Sequence, residues 1–237
     1  MISGYDACFL KVARQVAPAL LYLLHPCSRK YQGKPRCLQV QNNKKGYAMV
    51  EWLFVPAAYL IGSISSAIII CRLMGLPDPR GQGSGNPGAT NVMRIGGKKA
   101  AAITLLGDML KGLIPVYAAS TLGLPVELVA MTGLAAFMGH LYPVFFGFKG
   151  GKGVATSVGV LLGFFWALGL AFIATWYLIY KLGKISSLSA LVASTLSPIF
   201  AWFLLGDKAI VAASLVMMIF LLWRHKSNIQ RLLAGEE

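Results

Sequence analysis

Acidic side chains are what this sequence has least of: eight Asp and Glu stand against 22 Lys and Arg in 237 residues, for a formal net charge of +14. Charged residues of both signs make up only 13% of the chain and hydrophobic residues 57%, whereas a soluble domain holds roughly 25% and roughly 45 to 50%. The shortage of charge excludes an ordinary soluble enzyme, and the apolar excess excludes a chain that stays unfolded. Cysteine is scarce too: Cys8, Cys27, Cys37 and Cys71 are too unevenly spread for a disulfide scaffold. With no CxxC pair and no Cys/His cluster, no metal site is expected. What remains is an integral membrane protein with basic surfaces. Nucleic acid, anionic lipid and an anionic small substrate all fit the positive excess, and composition does not choose among them.

Residues 1–48 differ from the rest. They hold Lys11, Arg14, Arg29, Lys30, Lys34, Arg36, Lys44 and Lys45 against Asp6 alone, together with three of the four cysteines. Their one apolar run, 16 to 24, contains Pro18 and falls short of the roughly 20 residues that cross a hydrocarbon core. A secretory signal is one reading, but His25, Pro26 and Cys27 stand where small residues should precede a cleavage point. The other is a basic, poorly ordered extension translated from a start upstream of Met49.

From Val50 onward apolar stretches succeed one another at 50 to 71, 100 to 120, 126 to 146, 154 to 180, 186 to 205 and 209 to 223. Each reads as helix, because a spanning segment must satisfy its own backbone. Basic residues cluster at Arg72 to Lys99, at Lys149 and Lys152, at Lys181 and Lys184, and from Arg224 to Arg231. If all those loops face the cytoplasm, the stretch 154 to 180 begins and ends on the same side. It must cross and return, as two short helices at 154 to 164 and 165 to 181, or dip in as a re-entrant pair. The first option gives an all-α protein of about seven transmembrane helices with Gly-rich loops on the cytoplasmic face. It also places the start of the first span outside, which the basic extension opposes.

Three polar segments interrupt the apolar ones. The first runs from Gly81 to Gly97 and contains Gly83-Ser84-Gly85-Asn86-Pro87-Gly88. Asn86-Pro87 is a helix start and Gly96-Gly97 a stop, which predicts a short helix over 87 to 95 with Asn91 and Arg94 on one face. Ser84 and Gly85 then sit ahead of a helix N-terminus, where free N–H groups favour an anion. The formal match to GxGxxG is refused, because no strand precedes it. In the second segment, Gly147 to Gly153, four glycines accompany Lys149 and Lys152. Gly150, Gly151 and Gly153 let backbone N–H groups approach a phosphate and the lysines supply charge, although a purely topogenic role for the lysines stays open. Walker A spacing fails, and Gly153 stands where Ser or Thr would hold magnesium. The third segment is a basic helix end in which His225, Asn228 and Arg231 recur at three-residue spacing; it serves equally well as anchor or as site. Inside the second span, Asp108 and Lys111 are three apart and read as a structural ion pair. His140 reads as a hydrogen-bonded packing residue.

Taken together, GSGNPGATNVMR (83 to 94), GHLYPVFFGFKGGKGVAT (139 to 156) and RHKSNIQRLLAGEE (224 to 237) resemble the three motifs of the bacterial acyl-phosphate:glycerol-3-phosphate acyltransferase (PlsY) family. The resemblance covers about 49 to 237. It implies a seven-helix enzyme of the inner membrane that moves a fatty acyl group from acyl phosphate to the 1-position of glycerol 3-phosphate, giving lysophosphatidic acid and phosphate. It also implies that Ser84, Arg94, Lys152, His225 and Asn228 form the catalytic site, with Gly150, Gly151 and Gly153 as the phosphate-holding loop and Gly85, Asn86, Asn91 and Lys149 beside them. Acyl phosphate is already activated, so no ATP, metal or other cofactor is expected. The expected partners are the two substrates and the bilayer, not nucleic acid.

Such a site needs only to hold two anionic groups together and to stabilise the tetrahedral oxygen. Positioning contributes about 7 to 11 kcal/mol and one oxyanion donor about 3 to 4 kcal/mol. A substrate phosphate taking the hydroxyl proton and His225 acting as general base are the two mechanisms left open. None of the histidines begins an HxxxxD pair, which argues against an acyl-CoA-dependent glycerolipid acyltransferase. A transporter for a phosphorylated solute is the alternative class. It would need polar residues at both faces and the midplane, whereas the polar residues here gather on one side.

Overall fold

The computed structural model describes residues 49–237; the expectations for residues 1–48, an extension or a signal, lie outside the described residues. Those described form nine α-helices and no strand: α1 Phe54–Gly62, α2 Ser66–Leu73, α3 Ala89–Thr121, α4 Val126–Leu141, α5 Val154–Phe164, α6 Trp166–Gly183, α7 Ser186–Leu204, α8 Lys208–Arg224 and α9 Lys226–Leu233. Four stretches, α3, α4 with its extension to Phe146, α6 and α7, are long and apolar enough to cross a membrane by themselves. The total becomes six when α1–α2, bent by 42°, and α8–α9, bent by 60°, each count as one span. The expected seven is reached only if α5 crosses as well, and its 11 residues rise about 16 Å, half of a hydrocarbon core.

The break inside 154 to 180 falls at Phe165, whose extended backbone (φ −162°, ψ 126°) separates α5 from α6. The short helix expected over 87 to 95 forms with a later start. Gly88 donates its N–H to the Asn86 carbonyl, so the chain turns once more after Pro87 and the helix begins at Ala89. The expected stop at Gly96-Gly97 does form: Gly97, at φ 77° and ψ −171°, is non-helical and kinks α3 into a short helix from Ala89 and the span that runs on to Thr121.

The helices pack through small residues, as is usual where lipid supplies no hydrophobic drive between them. A Cβ on Gly159 of α5 would lie 1.9 Å from the Met109 carbonyl oxygen of α3, and one on Gly62 of α1 2.1 Å from the Ala136 carbonyl oxygen of α4. Backbone thus touches backbone at both crossings. Deeper in, the ionisable residues of α3 pair as expected: Lys111 Nζ is 2.9 Å from Asp108 Oδ1, and both are buried. Lys111 also donates to the Ile64 carbonyl (2.7 Å), one of the groups freed where α1 breaks from α2. Thr156 Oγ1 of α5 donates to the Asp108 carbonyl (3.0 Å), and His140 Nδ1 of α4 lies 3.7 Å from Asp108 Oδ1. One cluster therefore joins the α1–α2 break, α3, α4 and α5.

Removing one partner of such a pair strands a buried charge. Lys111→Met should cost about 3 to 5 kcal/mol, and the double change Asp108→Asn/Lys111→Met should recover part of that loss. Thermal unfolding in detergent measures both, and equal melting temperatures for the single and double variants would contradict this account.

Candidate active site

Three loop regions meet beside this cluster. In the first, Asn91 is buried at the start of α3 and its amide is wholly occupied by backbone. Oδ1 accepts from the Ser84 N–H (3.0 Å), and Nδ2 donates to the Pro79 and Gln82 carbonyls (2.9 Å each). Asn91 is thus a strut that shapes the loop, although it was expected to face a ligand alongside Arg94. Gly83 is required here twice over, by its left-handed φ of +56° and by the Asn91 Oδ1 atom 2.4 Å from where a Cβ would stand. Arg80 holds the Asp78 carboxylate (2.6 Å) and reaches the Phe146 carbonyl (3.3 Å), tying this loop to the next. Its guanidinium keeps the Asp78 carboxyl below the usual carboxylate range.

In the second region, Gly150 and Gly151 are buried under the C-terminal helices. Arg224 donates from Nη2 to the Gly150 carbonyl (2.7 Å) and from Nε to the Gly151 carbonyl (3.2 Å), and the Gly151 N–H bonds to the His140 carbonyl (3.2 Å). A Cβ on Gly150 would fall 2.0 Å from the His140 carbonyl oxygen, and one on Gly151 2.3 Å from His140 Nε2. These two glycines let the loop lie on α4. Gly153, at φ +94°, then turns the chain into α5.

The third region is the break between α8 and α9. His225 is buried there with Nδ1 2.8 Å from the Leu221 carbonyl, so that nitrogen carries a proton and Nε2 is left as an acceptor. Burial pushes its pKa down to about 4, against the opposing pull of the Leu221 carbonyl. One helical turn on, Asn228 accepts from Lys152 Nζ through Oδ1 and donates to Glu237 Oε1 (2.6 Å). Arg231 (2.5 Å) and Ser187 also hold the Glu237 carboxylate. Although burial opposes it, these bonds keep that carboxyl below its ordinary range. Burial lowers the Lys152 pKa, and the nearby Arg231, Arg224 and Arg94 charges lower it further.

All three regions open on one cleft of about 1100 Å³. Ser84, Arg94, Lys152, His225 and Asn228 line it, and so do Asn86, Asn91 and Gly153. Gly85, Lys149, Gly150 and Gly151 do not, so of the expected phosphate loop only Lys152 and Gly153 reach the cavity. Lys149 is exposed. Several lining residues escaped the sequence reading. Arg231 was visible as the next step of the His225/Asn228 spacing, and Glu237 as an acid in a basic segment. Asp108 and His140 line the cleft as well as packing the helices, which no sequence signal separates. Leu105 and Met109 of α3, Val158 of α5 and Phe172, Ile173 and Trp176 of α6 add apolar surface to the same lining. A lining that combines cations and hydrogen-bond donors with hydrocarbon suits an amphiphile with an anionic head.

Comparison with known proteins agrees with this geometry. The family model described as Glycerol-3-phosphate acyltransferase matches residues 52–235. A Methylococcus capsulatus protein named glycerol-3-phosphate acyltransferase is 58% identical over 188 residues, covering 79% of this chain and 95% of its own. One of the same name from Thioalkalivibrio sulfidiphilus is 58% identical over 183 residues, covering 77% and 90%. Among solved structures, PlsY (YgiH), described as an integral membrane glycerol 3-phosphate acyltransferase, is similar in its glycerol 3-phosphate form with a TM-score of 0.76 and 39% identity. Its lysophosphatidic acid form matches with a TM-score of 0.74 and 38% identity, and each match covers 79% of this chain and 94% of that one.

Asn91→Ala removes three bonds to the first loop while leaving the cations in place. It should lower kcat/KM about tenfold or more and speed amide exchange at Ser84, both effects following the loss of loop order. An activity loss without faster exchange would mean that Asn91 meets the ligand instead.

Proposed function

The chain belongs to the glycerol-3-phosphate acyltransferase family, and we propose that it transfers a fatty acyl group from acyl phosphate to the 1-position of glycerol 3-phosphate, yielding lysophosphatidic acid and phosphate. The site faces the cytoplasm from the bacterial plasma membrane, the side on which the basic loops gather under the positive-inside tendency. The observation that carries this reading is the meeting of Ser84, Arg94, Lys152, His225 and Asn228 around a cleft that apolar side chains also line.

The chemistry follows from the charges. Arg231, Arg224 and Arg94 are close enough to depress the Lys152 pKa, with Glu237 opposing them, so positive charge is in excess around Lys152. A dianionic phosphate relieves that crowding, and two such groups brought together place the hydroxyl against the acyl carbon. Arg94, Lys152 and Asn228 grip the phosphates, and Ser84 with neighbouring N–H groups polarises the carbonyl. A bond forms from the 1-hydroxyl oxygen to the acyl carbon, and the bond from that carbon to the phosphate oxygen breaks. The hydroxyl proton passes to a substrate phosphate, and no acyl-enzyme forms. His225, with a pKa of about 4 and Nδ1 bound to Leu221, offers Nε2 as a hydrogen-bond acceptor that orients the hydroxyl. That low pKa makes it a weak base at neutral pH and favours substrate assistance over general-base catalysis.

Purified protein supplied with glycerol 3-phosphate should acylate it from palmitoyl phosphate and not from palmitoyl-CoA, with or without the first 48 residues; activity with the thioester alone would overturn the donor assignment. The pH profile of kcat/KM should show an acid limb near pH ~6, the second ionisation of a phosphate monoester, and His225→Asn should lower the rate without moving that limb. An acid limb that disappears with His225 would restore the imidazole as base. On the alkaline side, the grip on phosphate is lost as pH rises through the lowered Lys152 pKa, so the limb should lie below the ordinary lysine range. Lys152→Arg should shift it upward, because Arg keeps its proton. Lys152→Met should cost about a hundredfold or more in kcat/KM.

A further inference from the structure

We propose that His140 is a specificity-determining residue of this site: its Nε2 accepts a hydrogen bond from the 2-hydroxyl of bound glycerol 3-phosphate. The inference rests on the reading of glycerol 3-phosphate as substrate and adds a contact to it. His140 is only 6% exposed yet lines the cleft. Its Nδ1 is sealed from solvent and lies 3.7 Å from the Asp108 carboxylate, with the Lys111 and Arg224 charges also near the imidazole. A proton on Nδ1 is the arrangement that suits that carboxylate, which leaves Nε2 with a lone pair. Nε2 has no protein partner among the described residues, and it is not one of the sealed atoms.

An acceptor nitrogen at a cleft wall needs a donor. With the phosphates ionised, the only donors these substrates bring are the two hydroxyls of glycerol 3-phosphate. The reacting hydroxyl gives its proton away, whereas the 2-hydroxyl keeps its proton and needs a standing partner when it leaves water. His140 suits the second task better than the first. The Asp108 carboxylate lies closer to the Lys111 ammonium (2.9 Å) than to the imidazole, so its charge is already matched and is not free to stabilise an imidazolium. Gly151 keeps the imidazole uncovered: a methyl there would stand 2.3 Å from Nε2. The glycine therefore does more than let the loop approach α4; it leaves Nε2 free to be read by a ligand.

The test is a cycle between residue and ligand, read by calorimetry on the full chain in detergent so that it does not depend on the acyl donor. Wild type, His140→Phe, His140→Gln and Gly151→Ala are each titrated with glycerol 3-phosphate and with 3-hydroxypropyl phosphate, which lacks only the 2-hydroxyl. Wild type should bind glycerol 3-phosphate about tenfold or more tightly than the analogue, in keeping with one hydrogen bond to a group that is otherwise stranded. His140→Phe should bind both alike, at the wild-type level for the analogue, and His140→Gln, whose amide oxygen stands near the Nε2 position, should recover part of the preference. Gly151→Ala keeps the imidazole but covers it, and should lose the preference even if His140→Phe does not fold. A loss that is equal for both ligands, or a preference that survives in both His140→Phe and Gly151→Ala, overturns the proposal. Failure of wild type to bind either ligand overturns it together with the substrate reading, whereas an intact cycle without acyl transfer would refute the proposed reaction alone.

Discussion

The ion pair between Asp108 and Lys111 is the constraint around which the membrane-embedded part is arranged. Two full charges in a span cost several kcal/mol unless each is met; these two meet each other on α3, and the groups packed around them come from other parts of the fold. Lys111 takes the Ile64 carbonyl and so stabilises the break between α1 and α2; Thr156 of α5 bonds the Asp108 carbonyl; His140 of α4 turns its Nδ1 toward the carboxylate. Helices that meet at a polar centre cannot slide or rotate freely, as they could against a purely apolar neighbour. The small-residue crossings at Gly159 and Gly62 bring the backbones near enough for these bonds to form.

This centre fixes the floor of the cleft. The His140 carbonyl holds the Gly151 N–H, and Arg224 clamps the Gly150 and Gly151 carbonyls from the other side. The Gly-rich loop, which could be mobile by composition, is thereby pinned between α4 and the end of α8. Lys152 follows directly and is delivered to Asn228. The backbone that carries Lys152 is thereby tied to the helix whose His140 faces the Asp108–Lys111 pair, as the proposed reaction, which draws on positioning, would need.

Much of this could be read from the sequence because it is written in charge and hydropathy. The division of 154 to 180 followed from basic residues at both ends, and the break fell at Phe165. The five polar residues from three separated segments do line one cleft. What could not be read depends on contacts that have no local signature. Asn86-Pro87 signals a helix start, but the Gly88 N–H turns back to Asn86 and postpones it. The glycines at 150 and 151 suggest a phosphate cradle, yet their missing side chains make room for α4 instead. Asn91 shares a helix with Arg94 but spends its amide on the loop. In each case a residue type fit for ligand binding is used for backbone support, and only tertiary distances separate the two uses.

The positive excess of the chain also takes a narrower meaning. A cation that merely fixes topology needs only to stand in water at a membrane face, as exposed Lys149 does. Lys152 is half-buried, flanked by Arg94, Arg224 and Arg231, and its main acidic neighbour, Glu237, is already held by Asn228, Arg231 and Ser187. Gathering like charges in partial burial is unfavourable for the folded protein by itself, and becomes favourable only when an anion of matching charge enters. The Asp108–Lys111 pair, by contrast, is neutral as a unit and asks for nothing more. The molecule thus keeps two kinds of buried charge along one cleft: one balanced, which holds helices, and one unbalanced, on which the proposed binding of an anion rests.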